Sequence, residues 1–184
     1  GEFDVDEEIG VNKVLNAGGR LLGNEEFTFE LKQGDAVVES VKNALDGTVS
    51  FANLVYDEAD IGQTYSYTIN EVIPAHGETG MTYDSHILSF TVTVTDAGNG
   101  VLNTAKEVTG SATFTNTYEA GGTLDIEGII NPTKVLNNRA LAAGEFSFEL
   151  RLGDTVLQTV SNDAAGNILF APITYTQDDI GQTY

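Results

Sequence analysis

"YTINEVIP", residues 67–74, has the two-residue alternation of a β-strand, with one polar residue on its apolar face. Counting every second residue places Tyr65, Tyr67 and Ile69 on the same side of the strand, the side expected to face a core. Glu71 continues that row. A carboxylate is costly to bury without a partner, so this strand predicts that other polar groups meet Glu71 inside the fold.

The same alternation recurs along most of the chain and predicts an all-β fold. Glycine and asparagine separate the strands, and "DAGNG" at 96–100 predicts a hairpin turn. About seven short strands in about 115 residues, without a helix of normal length, are typical of an immunoglobulin-like β-sandwich. The clearest inward-facing rows are Phe27, Phe29 and Leu31; Leu88, Phe90, Val92 and Val94; and Phe114, Asn116 and Tyr118.

An internal repeat sets the domain organisation. "EFTFELKQGD" at 26–35 returns as "EFSFELRLGD" at 145–154, and "DIGQTY" at 60–65 returns at 179–184, both at an offset of 119 residues. "NKVLNAGGRLL" at 12–22 matches "TKVLNNRALAA" at 133–143, so Lys134 corresponds to Lys13.

The repeat predicts two domains of unequal completeness. We expect one complete domain over residues 1–119 and, after a glycine-rich boundary, a second repeat over 120–184 that stops before its C-terminal strands. "GEF" at 1–3 resembles a vector-derived remnant, so these residues are not used in predicting the fold.

Composition excludes several classes of function. Twenty-eight acidic and eight basic residues give a formal charge of -20, which repels nucleic acid and anionic membrane surfaces. The lack of cysteine excludes disulfides and zinc–thiolate sites, and no apolar run reaches membrane-spanning length. The acidic clusters at 57–60 and 177–179 lack the ligand spacing of a calcium loop and are interpreted as solvated turns, so no metal or cofactor is expected. His76 and His86 are interpreted as loop or surface histidines.

Two further polar residues share Glu71's position on an apolar face. Lys13 falls in the row of Val11 and Leu15, and Asn116 falls in the row of Phe114 and Tyr118. Three unrelated burials of polar groups are a poor explanation, because each one alone is unfavourable. We therefore expect Lys13, Glu71 and Asn116 to meet.

Their meeting permits a specific reaction. A low dielectric disfavours the charged form of a buried lysine or glutamate, and a neutral amine is a nucleophile. Attack of the Lys13 amine on the Asn116 carboxamide would release ammonia and leave an amide bond, with Glu71 polarising the carbonyl and carrying protons. The alternative is a buried Lys–Glu ion pair with a hydrogen-bonded asparagine and no covalent bond. The intact mass separates the two.

Three motifs in order resemble the isopeptide-linkage domains of Gram-positive pilins and surface adhesins, in the streptococcal-type major pilin family. They are "VNKVLN" at 11–16, "YSYTINE" at 65–71 and "FTNTYEA" at 114–120. The resemblance implies a CnaB-like sandwich in which Lys13 is the nucleophile, Asn116 the acceptor and Glu71 the catalytic proton relay. Lys134 would be the unpaired nucleophile of the truncated repeat.

The resemblance also implies a function. It implies a structural stalk or pilin module of a cell-wall-anchored, extracellular adhesin, with neighbouring repeats as partners and with single-turnover crosslinking instead of enzyme turnover. A weaker candidate, Lys106, lies where some such pilins present the lysine that sortase joins to the next subunit; its alternative is an ordinary exposed lysine.

Two other functions stay open at this point. A ligand-binding adhesin module for a host protein or glycan would be favoured by an exposed aromatic cluster, for which Tyr56, Tyr83 and Tyr118 are too dispersed in sequence to decide. A hydrolase using a lysine–glutamate pair would need an open substrate cleft. Neither nucleic acid binding nor membrane insertion is expected.

Overall fold

β-Strands dominate the computed structural model, which describes residues 1–184. The chain divides into two compact units, residues 1–119 and 120–184. The strands of the first unit are β1 (Glu2–Phe3), β2 (Asn12–Asn16), β3 (Thr28–Gln33), β4 (Ala36–Lys42), β5 (Leu54–Val55), β6 (Thr64–Glu71), β7 (Met81–Thr82), β8 (Ile87–Gly98), β9 (Val101–Thr109) and β10 (Thr113–Tyr118).

A five-stranded antiparallel sheet forms one layer of the first unit, in the order β4-β3-β6-β8-β9. The predicted hairpin at residues 96–100 is confirmed, because β8 pairs with β9 across this turn. Asn99 and Gly100 both have positive φ, 59° and 75°, which is the backbone that a tight two-residue hairpin loop requires.

A three-stranded sheet in the order β2-β10-β7 forms the other layer. β2 and β10 run parallel, with Lys13 opposite Phe114 and Leu15 opposite Asn116. β7 pairs antiparallel with β10. The first and last long segments of the unit therefore lie side by side.

The core lies between the inward rows of the two sheets. Phe29 from the larger sheet meets Phe114 from the smaller one edge to face, with ring centroids 5.3 Å apart. Leu31, Ile69 and Leu88 are fully buried beside them. The predicted all-β sandwich is confirmed, and the alternation of the strands determined which side chains fill it.

Residues 1–3, which were not used in predicting the fold, contribute to the core of the first unit. Phe3 is 2% exposed and stacks on Phe90, with centroids 5.9 Å apart. Its strand β1 pairs with β5. A phenylalanine beside an open part of the core gains more from burial than from remaining in water, whatever the origin of its segment.

Helical structure is confined to single turns. α1 spans Val5–Glu8, and 3₁₀ turns span Glu58–Asp60 and Gln177–Asp179. In the first 3₁₀ turn, Asp57 Oδ1 accepts from Ala59 N–H and Asp60 Oδ2 accepts from Asp57 N–H, so these carboxylates cap the turn. None of the helices is long and apolar enough to span a membrane.

The second unit has two separate strand pairs and a smaller core. β11 (Gly122–Leu124) pairs with β14 (Ile173–Tyr175), and β12 (Ser147–Leu152) pairs with β13 (Thr155–Ser161). The buried residues Ile126, Ile168 and Phe170 form its apolar cluster.

Candidate functional site

Lys13 is held by the backbone on one side and by an aromatic ring on the other. Its N–H donates to the carbonyl of Gly47 at 2.7 Å, and a Cβ on Gly47, whose φ is 93°, would lie 2.3 Å from the Lys13 carbonyl oxygen. Glycine is therefore required there. The Lys13 ammonium lies over the ring of Phe27, 4.5 Å from its centroid, and its side chain is fully buried.

Glu71 is the last residue of β6 and connects the other two polar groups. Its Oε2 accepts from Lys13 Nζ at 2.5 Å, and its Oε1 accepts from Asn116 Nδ2 at 2.6 Å. Glu71 and Asn116 are only 4% and 0% exposed. One carboxylate thus contacts both the amine and the nitrogen that would leave the carboxamide.

The orientation of the Asn116 carboxamide follows from its third contact. Asp84 N–H lies 2.7 Å from Oδ1, and a backbone N–H can only donate, so the group facing it is the oxygen. The expected hydrogen bond from Glu71 to this carbonyl is therefore not the one observed. Glu71 accepts from the carboxamide nitrogen, and Asp84 N–H donates to the oxygen.

Burial lowers the pKa of Lys13, against the opposing effect of its hydrogen bond and charge interaction with Glu71. Removal from water disfavours the ammonium, and Glu71 is within reach to take its proton. The arrangement can therefore generate a neutral amine beside a carboxamide.

Asp84 is fixed by a ring of contacts outside the three buried groups. Its Oδ2 accepts from the N–H of Thr115 at 2.7 Å, and its Oδ1 accepts from His86 N–H at 3.0 Å. His86 Nδ1 lies 2.7 Å from the same Oδ1, and Nε2 lies 2.9 Å from the carbonyl oxygen of Ser111. The imidazole stacks on Phe114 with centroids 4.2 Å apart.

These partners favour the protonated form of His86. The Ser111 carbonyl and an ionised Asp84 can only accept, so both contacts are hydrogen bonds when both ring nitrogens carry protons, as in the imidazolium form. Burial opposes this charge, but the contacts with Ser111 and Asp84 outweigh it and raise the pKa of His86. Burial also opposes the ionisation of Asp84, yet hydrogen bonds from Thr115 and His86 hold its pKa below the usual range.

Comparison with known families then supplies the context of this site. Residues 9–119 match the family described as "FctA: Spy0128-like isopeptide containing domain". The chain belongs to this family. The match covers more than half of the chain and confirms the resemblance to a Gram-positive pilin isopeptide domain, so the protein is a structural module of the pilus type.

The chain also matches two solved pilin structures at low sequence identity. Two variants of the major pilin from Streptococcus pyogenes match with 14% and 13% sequence identity, a TM-score of 0.41 in each case, and coverage of 90% of this chain and 72% of the pilin chain. No curated protein matches.

The second unit of this Spy0128-like chain repeats the surroundings of the lysine. Lys134 N–H donates to Gly166 O at 2.7 Å, and Lys134 Nζ lies 4.4 Å from the centroid of Phe146. The repeat within this chain contains no counterparts of Glu71 and Asn116. Lys134 is half-buried, whereas Lys13 is fully buried.

Asn43 is a structural residue that the strand pattern missed. It is 1% exposed; its Oδ1 accepts from Phe27 N–H at 2.8 Å, and its Nδ2 donates to the Gly23 and Ala44 carbonyls. Asn162 repeats the arrangement with Phe146 in the second unit. The signal was present as an asparagine conserved between the two copies at the same offset of 119 residues.

The remaining candidates make no hydrogen bond to Lys13, Glu71 or Asn116. Lys106 is on the edge strand β9, where its ammonium pairs with Glu8 at 2.7 Å and also donates to the Glu8 carbonyl. Tyr56 is buried, Tyr83 packs on Phe27 and Tyr118 lies under Arg20, so these tyrosines form no exposed cluster. His76 is exposed, as expected for a loop histidine.

Proposed function

We propose that residues 1–119 form a stalk or pilin module of a bacterial surface adhesin that is stabilised by an autocatalytic amide bond between Lys13 and Asn116. The observation that carries this proposal is the position of Glu71, which hydrogen-bonds the amine and the carboxamide at once in a buried site.

The contacts support a balanced sequence of steps. Glu71 takes a proton from the Lys13 ammonium, leaving a neutral amine and a carboxylic acid. The amine lone pair forms a bond to Cγ of Asn116, and the carbonyl electron pair moves to Oδ1. Glu71 gives its proton to Nδ2 and takes one from Nζ, the Cγ–Nδ2 bond breaks, and ammonia leaves as the carbonyl re-forms.

Proximity is the main source of rate in such a reaction. Parallel pairing of β2 and β10 holds Lys13 and Asn116 on neighbouring strands, and Glu71 contacts both side chains, so no diffusional step is needed. Well-oriented intramolecular reactions reach effective molarities of about 10⁵–10⁸ M. A single turnover therefore needs no external substrate, and the buried groups offer no open cleft for one, which disfavours the hydrolase alternative.

Intact mass spectrometry tests the proposal. The unmodified protein is expected to be lighter than its sequence mass by one ammonia, and Glu71→Ala is expected to have the full sequence mass. A full-mass unmodified protein would mean that the three residues form an uncrosslinked ion pair.

The proposed partners and location follow from this role. Neighbouring repeats or other pilin subunits would join the module in a cell-wall-anchored, extracellular fibre. Lys134 would remain an unpaired nucleophile within this chain. The assignment of Lys106 as a sortase-linked lysine remains a prediction. In the structure its ammonium forms an ion pair with Glu8.

A further inference from the structure

We infer that the backbone N–H of Asp84 is the oxyanion donor for amide formation at Asn116, and that the side chains of Asp84 and His86 position it. The inference rests on the proposed crosslinking reaction. It assigns the stabilisation of negative charge to a loop residue and leaves Glu71 as the proton carrier.

The first argument is the division of contacts around the carboxamide. Asn116 Oδ1 receives Asp84 N–H at 2.7 Å, whereas Nδ2 faces Glu71 at 2.6 Å. When Lys13 Nζ bonds to Cγ, the electron pair of the carbonyl goes to Oδ1. The donor that already faces this atom is Asp84 N–H.

The second argument is burial. Asn116 is 0% exposed, so water does not compete strongly for the developing charge. A hydrogen-bond donor fixed in such a site is worth more than in water, and loss of one oxyanion donor slows related acyl transfers by about 10²–10³-fold.

The third argument is the way in which the donor is fixed. The Asp84 carboxylate accepts from Thr115 N–H, the residue adjacent to Asn116 on β10. Donor and acceptor are thus tied to the same strand. His86 fixes the outer side of the loop through Asp84 Oδ1 and the Ser111 carbonyl, and it packs on Phe114, two residues before Asn116.

The atoms balance without another reactant. The Nζ–Cγ bond forms as the pair on the carbonyl moves to Oδ1, where Asp84 N–H stabilises it. The pair returns to re-form the carbonyl as the Cγ–Nδ2 bond breaks. Protons pass only through Glu71, and Asp84 N–H keeps its own proton throughout.

Substitutions at position 84 separate the N–H from the side chain. Asp84→Pro removes both, Asp84→Ala keeps the N–H but removes its anchor, and Asp84→Asn keeps an oxygen that can accept from Thr115 N–H. The rate of crosslinking is measured in full-length protein by pulse-chase cell-free synthesis, with the loss of one ammonia followed by mass spectrometry.

We expect Asp84→Pro to slow ammonia loss by about 100-fold or more. Asp84→Ala should be slowed less, and Asp84→Asn should recover part of the loss seen with Asp84→Ala. A folded Asp84→Pro protein that crosslinks at the parent rate would overturn the inference.

Folding is controlled in an unreactive background, Lys13→Met/Glu71→Gln, in which no bond forms and no buried charge is left unpaired. In that background the amide proton of Asp84 should be shifted downfield and protected from exchange by nuclear magnetic resonance. If Asp84→Pro does not fold, the test is Asp84→Ala: loss of amide protection without any fall in crosslinking rate overturns the inference, and a joint fall supports it. A parent protein that never loses ammonia would instead refute the crosslinking proposal itself.

Discussion

At the scale of the residue, the buried polar groups of the site depend on one another for their hydrogen bonds. Lys13, Glu71 and Asn116 are all buried, and each finds its hydrogen-bond partner among the others or on Asp84. Removal of a single member leaves a polar group without compensation in a low dielectric. Any test of the bond must therefore distinguish loss of the covalent link from exposure of an unpaired charge.

Asn116→Ala makes that distinction better than Lys13→Ala. It prevents the bond while leaving the Lys13–Glu71 pair in place, so we expect a lower melting temperature and faster proteolysis, with full sequence mass. Lys13→Ala should be less stable again, because Glu71 loses its buried partner. Thermal denaturation of both variants checks the order, and equal melting temperatures for Asn116→Ala and the parent would contradict a stabilising bond.

The pH dependence of stability tests the state assigned to His86. Since the folded-state pKa of His86 is raised, its contribution is fully present below the unfolded value of about 6.5 and is lost as pH rises through the folded value. In the background Lys13→Met/Glu71→Gln, we therefore expect His86→Gln to lower the melting temperature more at about pH 5.5 than at about pH 9. A difference that is the same at both pH values would contradict an imidazolium between Asp84 and Ser111.

Asn43 offers a matched control for general destabilisation. Asn43→Ala removes the acceptor of Phe27 N–H in the buried interior, and an unsatisfied buried group costs about 1–3 kcal/mol. We expect a lower melting temperature but an unchanged loss of one ammonia, because Asn43 makes no hydrogen bond to the three reacting groups. Loss of crosslinking in a folded Asn43→Ala protein would show that bond formation depends on the packing that Asn43 supports as well as on the three reacting groups.

The limits of prediction from the sequence are clearest for these residues. Strand alternation placed Lys13, Glu71 and Asn116 on inward faces because a side chain's direction in a strand depends on parity alone. Asp84 and His86 lie in a loop, where parity has no meaning, and Asp84 contacts Asn116 through its backbone, which every residue possesses. The orientation of the Asn116 carboxamide could not be predicted either, because it depends on this backbone contact.

At the scale of the element, the parallel pairing of β2 and β10 determines how the proposed bond would resist tension. Tension applied at the start of β2 and the end of β10 would pull these strands in opposite directions along their shared ladder. A bond between Lys13 and Asn116 joins the two strands directly. It also closes a loop of roughly 100 residues, for which the chain-entropy model gives about 4–5 kcal/mol of stabilisation.

Single-molecule stretching measures how far the chain between residues 13 and 116 extends under force. In the crosslinked parent, the chain between residues 13 and 116 cannot extend. In Asn116→Ala it should unfold and lengthen by roughly 100 residues at about 3.3–3.6 Å each, or more than about 300 Å. The same extension in the parent would show that the strands are not covalently joined.

At the scale of the whole molecule, the two units share a design but differ in their chemistry. Both place a lysine beside a glycine carbonyl and over a phenylalanine ring, and both satisfy a buried asparagine in the same way. The repeat was visible in the sequence because these contacts require particular residue types, which recur in the second copy at a nearly constant offset. The packing of Phe3 was not, since a two-residue strand is too short to show a period.

Lys134 therefore serves as a natural control for Lys13. Lys134→Ala should retain the deficit of one ammonia found in the parent, because the second unit in this chain has neither an acid nor a carboxamide at the corresponding positions. Lys13→Ala should abolish the deficit. If Lys134→Ala abolished the deficit and Lys13→Ala retained it, the reaction would involve the second unit, which would contradict the proposal.

Tandem mass spectrometry of a proteolytic digest detects the amide bond itself. We predict a branched peptide in which the side chain of Lys13 is joined to the side chain of Asn116, with the loss of one ammonia located at that junction. Recovery of two separate, unmodified peptides containing Lys13 and Asn116, and no branched species, would contradict it.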